Sequence, residues 1–176
     1  MVPEPVVDGS DHVIDDWTHL ELQYPDGALN ADTLTFDPVT QDLYIVAEGG
    51  QLFRKAAPHV AGSRSTLQWV AELAIDAPTG GEISPLGDRI AVRSNDLGLM
   101  WLRDQSQPFE AAFLDHPCVL PMADEVRGEA LAFSSDGGGY YTVSEELYQP
   151  IWYTAFVPLE QPCAGLEAHI VRDPDG

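Results

Sequence analysis

A hairpin phrase that occurs three times constrains the fold of this chain more than any other feature. Each copy has a short apolar run, a turn and a second run of β-favouring residues, as in DTLTFDPVTQDLYIVAE, TGGEISPLGDRIAVRS and GEALAFSSDGGGYYTVSE. The copies align on the turn residues Asp37, Ser84 and Ser134, which are 47 and 50 residues apart. A period of this length with several strands per unit is typical of the four-stranded blades of a β-propeller.

We therefore predict an all-β fold, a partial β-propeller with about three four-stranded antiparallel blades. The blades are expected at about 30–75, 79–115 and 128–171, and the fourth strand of the second blade at Phe109–Leu114. Residues 17–24 are expected to form the outer strand of a preceding blade. Chance similarity between short hairpins is the alternative interpretation. No segment keeps an apolar period of 3.6 residues over three turns, so we expect almost no helix.

The length of the chain does not decide whether it forms a closed propeller by itself. With 176 residues the chain is expected to form a single domain over 1–176, in which the acidic, proline-containing residues 1–16 are poorly ordered. Three blades do not close a ring, because propellers carry about four to eight. The chain is then a fragment of a longer propeller, which we favour, an open arc, or half of an assembly that a second copy closes. An open arc leaves two sheet faces uncovered, so self-association is expected.

The charge balance excludes several classes of partner. There are 29 acidic and 8 basic residues, which give a formal net charge of −21. Binding to nucleic acid or to an anionic membrane surface needs clustered Lys and Arg, so neither is expected. No run of about 18 apolar residues occurs, so no membrane span is predicted. Such an acidic surface suits a salty or calcium-containing medium, although a merely solubilising surface is the alternative.

The two cysteines, Cys118 and Cys163, flank the third predicted blade. A disulfide between them would tie the start of the blade to its outer edge and contribute about 2–4 kcal/mol. Two free thiols are the alternative. The N-terminus has neither the basic nor the apolar region of a signal peptide, so any signal would lie upstream. We expect an extracellular or periplasmic location, because a minimal, even cysteine count in a loop-rich β protein suits an oxidising compartment.

Acidic side chains recur at the start of the first strand of two blades. Asp32 and Glu129 hold this position, and Glu82 lies three residues after the corresponding Thr79. A bulge at Gly80-Gly81 would turn Glu82 toward the same side. Carboxylates that converge on a propeller axis need a compensating cation, and oxygen ligands suit Ca²⁺. We therefore predict a calcium site at Asp32, Glu82 and Glu129; the alternative is that these acids cap strand ends and face solvent.

One basic residue stands out. Arg93 ends the apolar strand IAVR, where it could neutralise the carboxylates or hold an anionic substrate, and we predict a substrate-binding role. The alternative is an ion pair with Asp96 or Glu82. The five histidines are dispersed, so zinc is not expected, and no nucleophile elbow, P-loop or dinucleotide-binding glycine pattern occurs.

The three phrases at 24–46, 79–94 and 128–145 resemble a family of secreted bacterial β-propellers. This family is grouped with the esterase-like phytases and the six-bladed TolB-like or SMP-30-like propellers. The resemblance spans roughly residues 20–157 and implies a longer first half that holds further channel residues. In the family the first phrase carries Glu-Ala-Leu, where this chain has Asp32-Thr33-Leu34, and Asp stands where this chain has Glu82.

Two functions follow as expectations. The first is an exported propeller of binding or scaffold type, stabilised by calcium, with a small-molecule or protein ligand at the channel mouth. The second is a metal-assisted hydrolase of an ester, lactone or phosphoester, in which the cation activates water. The low number of basic residues gives a polyphosphate little to bind unless bound cations supply the charge.

Overall fold

A computed structural model describes residues 11, 13–15 and 17–156, together with the backbone of a strand at 170–172. The expectation of poor order for residues 1–16 falls mostly outside the described residues and stays a prediction. In chain order the elements are β1 (Glu21–Gln23), β2 (Thr33–Phe36), β3 (Leu43–Val46), β4 (Gln51–Lys55), β5 (Arg64–Thr66), β6 (Gln68–Glu72), β7 (Gly80–Ile83), β8 (Arg89–Arg93), β9 (Gly98–Leu102), the 3₁₀-helix η1 (Phe109–Leu114), β10 (Cys118–Leu120), β11 (Gly128–Phe133), β12 (Gly139–Ser144), β13 (Ile151–Ala155) and β14 (Ile170–Arg172).

Twelve of these strands form three antiparallel sheets of four. The first blade has the order β2-β3-β4-β6, the second β7-β8-β9-β10 and the third β11-β12-β13-β14. Each sheet begins with one of the repeated hairpins and is then extended outward, strand by strand. The predicted all-β fold with three four-stranded blades is confirmed.

The second blade differs from the prediction at its outer edge. The segment Phe109–Leu114, expected as the fourth strand, is η1, and the fourth strand is β10, which begins at Cys118 and pairs with β9. The helix forms because Phe109 and Ala112 lie three residues apart, so they share one face of a 3₁₀-helix and are both buried. The blade therefore extends to residue 120, beyond the predicted end at 115.

The turn residues used for the alignment perform the same task in each blade. The carboxylate of Asp37 accepts the Val39 N–H at 2.9 Å, and the Ser84 hydroxyl accepts the Arg89 N–H at 3.1 Å. The Ser134 hydroxyl likewise accepts the Gly139 N–H at 3.0 Å. A short polar side chain that bonds its own turn fixes the length of the hairpin loop and so the register of the two strands.

The innermost strands of successive blades lie side by side, with β7 between β2 and β11. This places a shared centre along their free edges. Two apolar cores fill the spaces between the blades, and they are listed by their buried members: Tyr44, Val46, Leu52, Leu73, Ile75, Ile83, Ile90, Val92, Leu99, Trp101, Phe109 and Ala112 between the first and second blades, and Ala91, Met100, Cys118, Leu120, Leu131, Phe133 and Tyr140 between the second and third.

The segment before the first blade covers the outer half of that blade. Strand β1 forms within the predicted 17–24 segment and pairs in parallel with β5. Leu22 and Tyr24 pack on a third, smaller core around Phe53, whose ring centroid lies 5.0 Å from that of Tyr24. The inner half of the same face, at β2, stays exposed.

Candidate functional site

A groove runs along the free edges of the innermost strands, where the blades meet at the shared centre. Its volume is about 310 Å³. The lining residues are Leu34, Thr35, Phe36, Pro38, Gly81, Glu82, Ile83, Pro85 and Leu131. Six of these nine lining residues have apolar side chains, so a ligand that fits the groove would bury an apolar body against them.

Within this groove, the side chain at one position of an innermost strand accepts a hydrogen bond from the backbone of the next blade. Thr35 and Glu82 are equivalent in the alignment, and so are Ile83 and Phe133. The Thr35 hydroxyl accepts the Ile83 N–H at 3.0 Å, and the Glu82 carboxylate accepts the Phe133 N–H. The bridge forms because alternate N–H groups of an innermost strand point away from its hairpin partner, toward the preceding blade. We call this bond the interblade latch.

Glu82 is the ionisable residue among the described residues that line the groove. It is half-buried, and burial raises the pKa of its carboxyl above the usual value of 4.5, although the Phe133 N–H acts in the opposite direction. A desolvated carboxylate in an apolar groove favours a ligand group that donates hydrogen bonds or carries positive charge.

The structure does not gather the three carboxylates predicted to bind calcium. Asp32 is exposed before β2, and Glu129 lies at a register shift in β11. Strand β7 pairs regularly with β8, so the expected bulge at Gly80-Gly81 is absent. In the part of the chain that is described, no group of three His, Cys, Asp or Glu side chains could hold a metal ion. The calcium site at these residues stays a prediction, and we derive no chemistry through a metal.

Arg93 lies in the interior between the second and third blades, with none of its side chain exposed. Its guanidinium donates to the Glu125 carboxylate at 2.5 Å and to the backbone carbonyls of Ser94, Asn95 and Ala130. The ion-pair partner is thus neither of the acids suggested by the sequence. Substrate binding by Arg93 stays a prediction, and the contacts observed are those of a group that joins two blades.

A second buried ion pair was not predicted. Arg103, directly after β9, donates to the Asp37 carboxylate at 2.9 Å and joins the second blade to the first. Burial of Asp37 acts to raise its pKa, but hydrogen bonds from Arg103, Thr40 and Val39 outweigh burial and lower the pKa below 3.8. The sequence marks Asp37 only as an aligned turn residue. Nothing in the sequence marks Arg103, 66 positions later, as the partner of Asp37.

The predicted disulfide involves one described cysteine. Cys118 is buried in β10 and packs in the core between the second and third blades. Cys163 lies outside the described residues, so the bond stays a prediction. Among the described residues there is no helix that is long and apolar enough to cross a membrane.

Comparison with known proteins shows similarity at the level of structure. No known protein family matches the sequence, and no curated protein matches it. The chain is similar to a chain of the nidogen/laminin complex, with a TM-score of 0.53 and 15% identity over 82% of this chain and 49% of the other. The fold is that of a partial β-propeller. A likeness of this degree concerns the fold alone, so the phytase and TolB-like grouping stays a prediction.

A second solved structure has a weaker likeness. It is a 6-phosphogluconolactonase candidate from Bacteroides uniformis, with a TM-score of 0.47 and 14% identity over 90% of this chain and 46% of that one. With a TM-score this low, the match carries no argument about function. This chain spans about half the length of both proteins.

Proposed function

We propose that this chain belongs to an exported β-propeller of binding type, whose ligand occupies the groove along the innermost strands. The observation that carries the proposal is the position of Glu82, a half-buried carboxylate among otherwise uncharged groove-lining residues. The ligand has an apolar body and a cationic or hydrogen-bond-donating group. The net charge of −21 also supports a cation over an anion, because the whole surface attracts positive charge.

Three aromatic probes of similar size and different charge test this proposal. We expect tryptamine to bind more tightly than indole, and indole more tightly than indole-3-acetate, in calorimetric titrations at moderate salt. Glu82→Gln should reduce the affinity for tryptamine about tenfold, because a charge-assisted hydrogen bond contributes about 1.5 kcal/mol or more. Binding of indole should change little.

The matched control for this titration is Asp32→Asn. Asp32 is an exposed carboxylate near the start of β2 and does not line the groove. Its removal changes the net charge by the same amount as Glu82→Gln, so a general attraction of cations would weaken equally in both variants. Equal losses, or no preference for tryptamine, would contradict the proposed site.

The alternative function is a metal-assisted hydrolase, and it lacks a metal-binding group among the described residues. Assays with p-nitrophenyl acetate, a simple lactone and p-nitrophenyl phosphate in the presence of Ca²⁺ address it. Turnover that is lost in Asp32→Ala or Glu129→Ala would favour the hydrolase. Calorimetric titration of the wild-type chain with Ca²⁺ tests the calcium prediction separately.

A further inference from the structure

The three blades are equivalent in sequence register but not in burial. Leu131 and Phe133 of the third blade are 5% and 7% exposed, because they face the second blade, and Ile83 of the second blade is 3% exposed. The corresponding residues of the first blade, Leu34 and Phe36, are 61% and 47% exposed. We call this side of a blade, which the preceding blade covers, its preceding face. The segment before the first blade packs on the outer half of the first blade's preceding face, at Phe53, and the inner half at Leu34 and Phe36 has no cover among the described residues.

The opposite side of the arc shows the complementary difference. Tyr44 of the first blade and Ala91 of the second are each 1% exposed, because the next blade covers them. The equivalent residue of the third blade, Tyr141, is 42% exposed. Thr35 is likewise buried, whereas Ala132, at the same position in the third blade, is exposed. We call this side of a blade its following face, and no described residue covers that of the third blade.

The inner strand of the preceding face and the two middle strands of the following face are free of charge. Strands β2, β12 and β13 contain no charged residue, although the chain has a net charge of −21. On the following face the rings of Tyr141 and Tyr153 pair at 4.9 Å, beside Ile151, which is 53% exposed. The preceding face adds Trp69, which is 60% exposed. Neutral, aromatic patches on so acidic a protein are typical of surfaces that another protein covers.

We propose that a second copy of this chain, rather than further blades of a longer chain, covers both faces and completes the ring. Leu34 and Phe36 also line the groove, so the partner's third blade would lie against side chains that a groove ligand also contacts. A following face meets a preceding face at each of the two junctions within the arc, so the two uncovered faces are of the kinds that fit each other. A two-fold dimer joins the third blade of each copy to the first blade of the other. The chain matches 49% of the chain of the nidogen/laminin complex, so two copies supply about the length of that propeller-like neighbour.

One feature makes this contact weaker than the junctions within the chain. Thr35 and Glu82 accept the latch bond from the next blade, but the equivalent residue of the third blade, Ala132, has no acceptor. Among the described residues, none accepts a latch bond from the Phe36 N–H of the first blade. Ala132→Thr should restore the latch at each new junction and increase the association constant about fivefold per junction, which corresponds to a hydrogen bond of about 1 kcal/mol.

Sedimentation equilibrium of the full chain tests the proposal. We expect a concentration-dependent dimer with twice the monomer mass of 19.2 kDa, strengthened by salt because two chains with a charge of −21 repel each other. Leu34→Glu and Tyr141→Glu should each weaken the dimer at least tenfold. The matched control is Leu114→Glu at the end of η1, where an 87% exposed leucine lies on neither face.

A mixture of the two weakened variants identifies which faces meet. Leu34→Glu retains a native following face and Tyr141→Glu a native preceding face, so the mixture should form a dimer with one intact junction. If like faces met instead, the mixture would form no more dimer than each variant forms alone. A monomer at every concentration and salt level, also for Ala132→Thr, would overturn the proposal, and so would open oligomers larger than a dimer. Circular dichroism and thermal unfolding establish that each variant is folded.

Discussion

Two buried arginines hold the blades together at the residue scale. Arg93 with Glu125 joins the second and third blades, and Arg103 with Asp37 joins the first and second. Ion pairs in an apolar interior are costly to form, because both charges lose their hydration. Once formed, they make the relative position of two blades specific, since neither charge tolerates the loss of its partner. The buried Oε1 of Glu125 has no hydrogen-bond partner among the described residues, which adds to the cost.

Removal of one partner of a buried ion pair should therefore destabilise the chain far more than removal of one partner of an exposed ion pair. Glu125→Gln leaves the Arg93 charge buried and uncompensated, and we expect a loss of about 3 kcal/mol in the free energy of unfolding, measured by urea denaturation. The control is Glu145→Gln, which breaks the exposed pair with Arg127 at 2.8 Å and should cost less than about 1 kcal/mol. Equal effects would contradict the account of Arg93. Arg93→Met with Glu125→Leu should recover part of the loss.

Glu82 gives the stability a pH dependence of known sign. Its pKa is raised in the folded state, so the folded chain binds more protons than the unfolded chain just above pH 4.5. The contribution of Glu82 is thus present at low pH and is lost as the pH rises through the raised pKa. We expect Glu82→Gln to be as stable as wild type at about pH 4 and slightly more stable at about pH 7. Thermal unfolding across this range checks the sign; a variant less stable only at about pH 7 would refute it.

At the scale of the element, the innermost strands depend on residues without side chains. A Cβ at Gly80 would lie 2.5 Å from the Glu129 carbonyl oxygen, which belongs to the backbone of the neighbouring blade. The close approach of β7 to β11 therefore requires glycine, because a backbone atom in a paired strand cannot move aside cheaply.

Gly80→Ala should separate these strands. We expect a loss of about 1–3 kcal/mol in the free energy of unfolding, the usual cost of overpacking. Gly138→Ala is the control, since its Cβ would meet only the Asp136 side chain, at 3.1 Å, in an exposed turn. Urea denaturation compares the two variants. A fully stable Gly80→Ala chain would show that β7 and β11 do not approach as closely as described.

The elements differ in how far the sequence could predict them. The repeated hairpins were predicted because their alternation and their turn residues are local signals. Segment 109–114 was mistaken for a strand, because a short apolar run does not distinguish a strand from a helical turn. Its structure is decided by packing: Phe109 stacks on Tyr44 of the first blade at 3.9 Å, and Phe113 meets Trp101 at 5.4 Å.

In the candidate site, too, local sequence signals predicted one part, and packing between blades decides the rest. Glu82 was singled out as an inward carboxylate, and it does line the groove, but its predicted association with Asp32 and Glu129 is not observed. Glu125 lies 32 positions after Arg93, and the chain between the two residues is partly irregular. Such pairs depend on how blades meet, which no local pattern in the sequence records.

At the scale of the whole molecule, the account depends on the innermost strands lying side by side about one centre. The latch bonds are the most specific sign of this arrangement, because each joins two consecutive blades at an equivalent position. Ring completion, the groove and the exposed faces all follow from it. A set of hairpins arranged in any other way would have neither the latches nor the two complementary faces.

Amide hydrogen exchange, measured by NMR at low protein concentration and low salt, tests that arrangement most directly. The amides of Ile83 and Phe133 should exchange at least about tenfold more slowly than the equivalent amide of Phe36, which donates no latch bond to any described residue. Thr35→Val should accelerate the exchange of Ile83 and leave Phe133 unchanged. Similar rates at the three positions, with no effect of Thr35→Val, would contradict the shared centre.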